Sequence, residues 1–151
     1  MREFNLLNNY PVLKKRYVSE DTRTIKNRII ASYRDKNFYD GKRENGFGGF
    51  KYDGRWKIIA KKIFDIYQLK PNAKILQIGC DKGFLLQDIK EIFPKSKVRG
   101  VEVSDYAIKH TNKKISKFIK KNKFYDLPFK NNEFDFVIAI GPVYSLNLAD
   151  A

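Results

Sequence analysis

Apolar positions change their spacing along this chain, and the changes mark out its elements. Between residues 74 and 84 a short apolar run, Ile75, Leu76 and Ile78, stops at Gly79 and Gly83. It then passes into a segment with Leu85, Ile89, Ile92 and Phe93 on one helical face. The run suits a strand buried in a parallel sheet, the glycines suit a tight turn, and the periodic segment suits a helix closed by Pro94. Residues 97–103 repeat the strand pattern and carry an acid, Glu102, near their end. Strand, helix and strand within about thirty residues make a right-handed crossover between parallel strands. The turn at 79–83 then lies at the carboxyl end of the sheet, where ligands of such folds bind, and an acid roughly twenty residues past a glycine turn suits ribose hydroxyls.

The rest of the chain is read from the same periodicities. Ser104 or Asp105 caps a further helix, on which Ile108, Ile115 and Phe118 or Ile119 face inward. A third strand is hard to place, because residues 121–124 are short and very polar. Residues 134–140, rich in Ile, Val and Phe and bounded by Gly141 and Pro142, read as a fourth. Upstream, Trp56, Ile59, Ala60, Ile63 and Tyr67 share one face and predict a helix over 55–67, ending before Pro71. Ile25, Ile29 and Tyr33 recur every four residues and predict an earlier helix, capped by Ser19 or Asp21, that packs over the main domain. Residues 1–18, with Pro11 and no clean period, read as an extended arm. Residues 37–56 carry five glycines, which argue against a regular element, yet Phe38, Tyr39, Phe47, Phe50, Tyr52 and Trp56 are too many aromatics to leave in water. This loop either plugs one end of the core or forms a lid over a bound ligand.

Composition narrows the classes. Hydrophobic residues at 42% and aromatics at 15% exclude a disordered chain, and no apolar run approaches the roughly eighteen residues of a membrane helix. The start lacks the apolar centre of a signal peptide, so a cytoplasmic protein with no membrane partner is expected. Cys80 is the single cysteine, and with one histidine it leaves too few soft ligands for a zinc site; no metal is expected. Inside the glycine turn, with no activating histidine nearby in sequence, Cys80 reads as a packing residue, and His110 reads as a surface residue. The formal charge of +14 invites a nucleic-acid partner. The lysines at 113, 114, 117, 120, 121 and 123, however, lie on a predicted helix whose apolar positions face elsewhere, so a solvated face explains them without any partner.

Taken with Leu127-Pro128-Phe129 and Phe134-Asp135-Phe136-Val137, the turn at 79–83 and Glu102 form a series that resembles the class I S-adenosylmethionine-dependent methyltransferases, over about residues 39–146. The resemblance implies an α/β fold, a Rossmann-like parallel sheet flanked by helices, incomplete at about three to four of the family's usual seven strands. Residues 1–54 would form an N-terminal arm, helix and lid, and residues 55–151 a partial methyltransferase domain. S-adenosylmethionine is the implied cofactor. By position, Gly79, Cys80, Asp81 and Gly83 would line its methionine portion, Glu102 would take both ribose hydroxyls, and Ile140 would approach the methyl donor. In the lid, Tyr52 and Arg55 join the cofactor-binding set, aromatic faces meet the sulfonium, and Arg55 pairs with the cofactor carboxylate. Glu102 is expected to stand at an open mouth and to support little of the core.

The chain departs from the family pattern at three positions. Gln77 stands where an acid is usual, Asp81 where glycine or alanine is frequent, and Lys123 where an acid bonds the adenine amine; Asp126 is the nearby substitute. Methyl transfer from a sulfonium is an in-line displacement that mainly needs alignment, so the absence of an obvious base is compatible with it. Tyr144 and Asp135 are the only nearby candidates, and no catalytic residue is assigned. Residues 52–56 look like the lead-in of methyltransferases associated with bacterial cell-surface sugar gene sets, which implies a small-molecule acceptor, a sugar or surface-polysaccharide precursor. Two alternatives stand beside it: an RNA or DNA methyltransferase, motivated by the charge, and a non-catalytic fragment that keeps only the cofactor-binding half. In this length the fourth strand would be a bare edge, to be covered by an oligomer partner or by a missing C-terminal half.

Overall fold

The computed structural model describes residues 3–8, 10 and 23–142. Its centre is a parallel sheet of β1 (Lys74–Ile78), β2 (Lys97–Glu102), β3 (Ile119–Lys121) and β4 (Phe136–Ala139), in the spatial order β3-β2-β1-β4. β1 is paired on both sides, Ile78 lying opposite Val101 of β2 and Ala139 of β4. Successive side chains of a strand face opposite ways. Ile75, Val98 and Ile138 therefore meet the helices α3 (Lys57–Ile66) and α4 (Phe84–Ile92), which add Ile59, Ile63, Leu86 and Ile89 to the main core. Leu76 and Val101 point the other way, under Phe124, Leu127, Phe129 and Phe134. This is the expected Rossmann-like arrangement, with an incomplete sheet. No described helix is long and apolar enough to cross a membrane.

Three elements differ from their sequence expectations. The single helix expected after β2 is two, α5 (Asp105–Lys109), capped by Ser104, and α6 (Lys113–Ser116), capped by Asn112. The Asn112 side chain accepts from the Lys114 N–H at 2.9 Å, which favours a fresh start over a continued helix. The third strand is Ile119–Lys121, earlier than residues 121–124, and only Ile119 of it is buried, which is why its pattern is faint. The stripe expected to pack inward from the first helix, α1 (Ile25–Ser32), faces outward: Ile25, Ile29 and Tyr33 are 76%, 53% and 70% exposed, and the buried residue is Ala31. Polar contacts fasten this helix instead, Asn27 Nδ2 donating to Asn45 Oδ1 at 2.8 Å. Its cap is Thr24, reciprocally bonded with Asn27; Ser19 and Asp21 lie outside the described residues, as does most of the expected 1–18 arm.

The glycine-rich stretch contains a short helix, α2 (Lys36–Asp40), because the Asp35 carboxylate accepts from the N–H groups of Asn37 and Phe38. A single 3-10 turn, Arg43–Asn45, follows. Phe47 and Phe50 stack at 4.2 Å, and Phe50 stacks on Phe84 at the start of α4 at 4.7 Å. That contact lays residues 34–50 across the carboxyl ends of β1 and β2, over the glycine turn.

Candidate functional site

β1 ends at Gly79, whose φ of +68° favours glycine. The N–H groups of Gly79 and Cys80 both donate to the Val101 carbonyl, at 2.9 and 3.1 Å, so the turn is tied to β2. Gly83 has a packing reason to be glycine: a Cβ there would lie 2.8 Å from Ile119 Cδ1, and its absence lets α4 sit against β3. At Gly79 the close neighbour is the Pro142 ring, 3.2 Å from the position a Cβ would take. Cys80 is buried, and its sulfur lies 2.7 Å from the position a Cβ would take on Gly100. Burial pushes its thiol well up, in keeping with packing rather than nucleophilic chemistry.

Glu102 is fully buried, at 0% exposure. One carboxylate oxygen accepts from the N–H groups of Val103 and Ser104, both at 2.9 Å, and the other from the Asp81 N–H at 2.8 Å. The residue expected at an open mouth is therefore the staple that joins β2 to the glycine turn. A carboxylate offers about four lone-pair positions, so these donors leave about one. That position is on Oε2; on the Oε1 side stands Arg34, whose Nε lies 3.9 Å from Glu102 Oε1, buried and without a hydrogen-bond partner.

Arg34 Nη2 donates to Asp81 Oδ1 at 2.9 Å, and the Tyr39 hydroxyl donates to the same oxygen at 2.8 Å. Burial, partly offset by the Arg34 guanidinium and reinforced by the Glu102 charge, pushes the Asp81 carboxyl up to about 6. Arg34 and Asp81 both occupy left-handed backbone, at φ +47° and +51°. The Arg34 carbonyl also accepts from the Ser104 hydroxyl at 2.5 Å. A second buried pair lies alongside. Lys82 Nζ donates to both oxygens of Asp40, at 2.9 and 2.7 Å, and to the Phe50 carbonyl at 2.9 Å, while the Tyr106 hydroxyl donates to Asp40 at 2.7 Å. Against the cost of burial, Lys82 and Tyr106 hold the Asp40 carboxyl down at about 2. The cations that the rings meet are Arg34, 5.2 Å from the centre of Phe38, and Lys82, 5.9 Å from the centre of Tyr39 and 5.7 Å from that of Tyr106.

Gly79, Cys80, Asp81, Gly83 and Glu102 thus gather at one end of the sheet. Ile140 lies one residue beyond β4 on the same end and is 38% exposed. Tyr52 and Arg55 stand elsewhere, ahead of α3. The Tyr52 hydroxyl donates to Asp88 at 2.6 Å, and Arg55 is bonded to Asp53 and stacked near the Tyr10 ring. Asp135 accepts from the Lys74 N–H at 2.7 Å, a clamp at the start of β1, and Tyr144 is outside the described residues. Lys123 and Asp126 are both exposed. Sequence reasoning missed Arg34 and Tyr39, which lie 47 and 42 residues from Asp81 with no local pattern to mark them.

A buried acid ending the second strand of a parallel sheet, bonded to the glycine turn that ends the first, defines a Rossmann-like nucleotide-binding class. A family model described as "Methyltransferase domain" matches residues 75–151, just over half of the 151 residues, and the chain belongs to that family. An uncharacterized protein of Rickettsia prowazekii is 32% identical over 106 residues, 64% of this chain and 42% of that protein. The sterol 24-C-methyltransferase of Schizosaccharomyces pombe is 32% identical over 79 residues, 48% of this chain and 21% of that enzyme. The chain spans less than half the length of these curated relatives. Among solved structures, a protein of Methanococcus maripaludis assigned as an S-adenosyl-L-methionine-dependent methyltransferase shares the fold, with a TM-score of 0.52, 19% identity, and coverage of 63% of this chain and 46% of that one. PKMT2 from Rickettsia typhi, in complex with AdoHcy, matches at 34% identity and a TM-score of 0.46, over 54% of this chain and 17% of that one.

Proposed function

We propose that the chain is the cofactor-binding part of an S-adenosylmethionine-dependent methyltransferase that acts on a small molecule, a sugar or surface-polysaccharide precursor, in the cytoplasm. The observation that carries the cofactor reading is the Glu102 staple, an acid at the end of β2 hydrogen-bonded to the turn that ends β1. Family membership supports the same reading. The polar groups at this end fit the cofactor by chemistry. Glu102 keeps about one acceptor position for a ribose hydroxyl. The Asp81 carboxylate suits an ammonium, and Arg34, with its orphaned Nε, suits a carboxylate. Bound there, the cofactor supplies a sulfonium methyl for in-line displacement; the chain's own residues hold and align it. The sugar class rests on residues 52–56, and the relatives, among them a sterol methyltransferase, do not narrow it. In this reading residues 1–54 serve as arm and lid and residues 55–151 as a partial methyltransferase domain. The outer edge of β4, where Val137 is half exposed, is the place for further sheet or an oligomer partner.

Calorimetric titration of the purified chain with S-adenosylmethionine tests the cofactor reading, with 1:1 binding expected and no heat at any concentration against it. A second reading, a nucleic-acid substrate, is favoured by one feature. The Phe118 ring has Lys117, Arg99 and Lys90 within 5.1, 5.9 and 6.0 Å, and Lys90, Lys117 and Phe118 border a groove of about 390 Å³. Mixed RNA bound with a steep salt dependence at physiological ionic strength selects this reading over the first.

A further inference from the structure

Residues 34–50 close over the one carboxylate that the cofactor reading needs. Glu102 has no exposed surface, and the Arg34 guanidinium stands beside it, its Nε 3.9 Å from Oε1. With the segment in this position, no surface of Glu102 is open to a ligand at the turn. The segment is held by ring contacts, Phe50 on Phe84 and Tyr39 on Tyr106, and, over the turn itself, by side-chain bonds. Arg34 and Tyr39 bond Asp81, Ser104 bonds the Arg34 carbonyl, and Asp40 bonds Lys82 and Tyr106. Polar fastenings of this kind exchange partners at far lower cost than a packed core opens. Arg34 is also incompletely satisfied, since its buried Nε has no acceptor.

We propose that the Arg34–Asp81 ion pair is a latch that holds residues 34–50 shut over Glu102, and that it opens by charge exchange with the amino-acid end of the cofactor. This rests on the cofactor reading above. Asp81 and Arg34 lie on opposite sides of the bond that joins them, so an α-amino carboxylate entering between them gives each a partner of opposite sign. Arg34 releases Asp81 for the ligand carboxylate, Asp81 accepts from the ligand ammonium, and with the segment moved aside a ribose hydroxyl can meet the acceptor position that Glu102 Oε2 keeps. Arg34 and Asp81 each exchange one opposite charge for another, which matters where burial makes an isolated charge expensive. A ligand without the zwitterionic end, such as adenosine, lacks the groups that undo the latch. The closed segment is then a filter for the whole cofactor over its nucleoside.

The test uses the full chain, its Arg34→Ala variant, and labelled S-adenosylmethionine in rapid filtration, with amide hydrogen exchange on the ligand-free proteins. In the parent, the association rate should level off with rising concentration, because opening comes first. In Arg34→Ala the plateau should rise by roughly tenfold to a hundredfold, the factor expected for losing one charge-assisted hydrogen bond. The Asp81 and Ser104 amides should exchange faster in that variant without any ligand. A parent rate that stays linear and equals that of Arg34→Ala overturns the gate, and unchanged exchange at both amides overturns the latch itself. If Arg34→Ala does not fold, Tyr39→Phe removes one bond to Asp81 and keeps the ring; a smaller rise in the same direction is expected, and no rise is fatal. If neither protein binds while exchange still quickens in the variant, the latch stands and the cofactor reading is what has failed.

Discussion

The mouth of the sheet and the flank formed by α5, α6 and β3 use charge in opposite ways. At the mouth a few ionic groups, Arg34, Asp40, Asp81, Lys82 and Glu102, are largely buried and each is bonded to specific partners. On the flank, lysines 113, 114, 117, 120, 121 and 123 crowd a surface where all six are exposed, and the ion pair among them, Lys121 with Asp105, is itself exposed. The six flank lysines add positive charge to a chain whose net charge is +14, whereas the energetics of charge belong to the mouth. An exposed pair contributes little, and a buried one broken on one side is costly.

The sharpest way to break this contrast is to remove the buried cation of the Lys82–Asp40 pair. Lys82→Ala should cost about 3 kcal/mol of stability in denaturant unfolding, because it strands Asp40 beneath the aromatic loop. A loss under about 0.5 kcal/mol, the ordinary surface range, would put Lys82 in the same class as the flank lysines. Glu102→Gln comes next. It leaves at least one of three backbone N–H groups poorly served, so it should lower stability by about 1 to 3 kcal/mol as well as weaken cofactor binding by roughly tenfold to a hundredfold. Full retention of the melting temperature would show that the staple is incidental.

Titration gives a smaller effect with a definite sign. The Asp81 carboxyl rises from 3.8 to about 6 on folding, so the folded chain binds more protons than the unfolded one in that window. Stability should therefore fall as pH rises from 4 to 6, by about 1 to 2 kcal/mol after solvent screening. Asp40 works the other way: lowered from 3.8 to about 2, it contributes stability above pH 4 that is lost as pH falls toward 2. Asp81→Asn should flatten the slope between pH 4 and 6 and leave the acid limb intact; an unchanged slope assigns it to another group. The least effect belongs to the flank, where Lys113→Gln with Lys120→Gln should move stability by less than about 0.5 kcal/mol. If the same pair of changes abolishes RNA binding in the parent, the flank is functional after all.

Much of the fold is legible in local pattern. Ile75, Leu76 and Ile78 before Gly79, and Leu85, Ile89 and Ile92 after it, mark β1, the turn and α4 by spacing alone, since strand and helix periods are properties of neighbouring residues. The acid Glu102 was equally visible at the end of the second strand. The pattern could not say how that acid is used, because its three donors come from backbone conformations at Asp81, Val103 and Ser104 that exist only once β2 lies beside the turn. The apolar stripe of α1 is legible as a stripe, but its spacing does not say what covers it: Ile25, Ile29 and Tyr33 are exposed, and no other described element lies over them.

The same division holds for the candidate site. Residues 37–56 announced by composition that their aromatics must cover something, since rings of that number cannot stay in water. Which residues they bring with them was decided by long-range packing. Phe50 stacks on Phe84, and that contact carries Arg34 and Tyr39 to Asp81 across more than forty residues of chain, while Tyr52 bonds α4 and Arg55 bonds Asp53 and Tyr10. Strands β1, β2 and β4, the turn and the acid are legible along the chain, because each depends on residues a few positions apart. Only the tertiary structure decided which cation meets that acid, because a salt bridge between distant residues leaves no period in the chain and forms where two surfaces happen to be pressed out of water together.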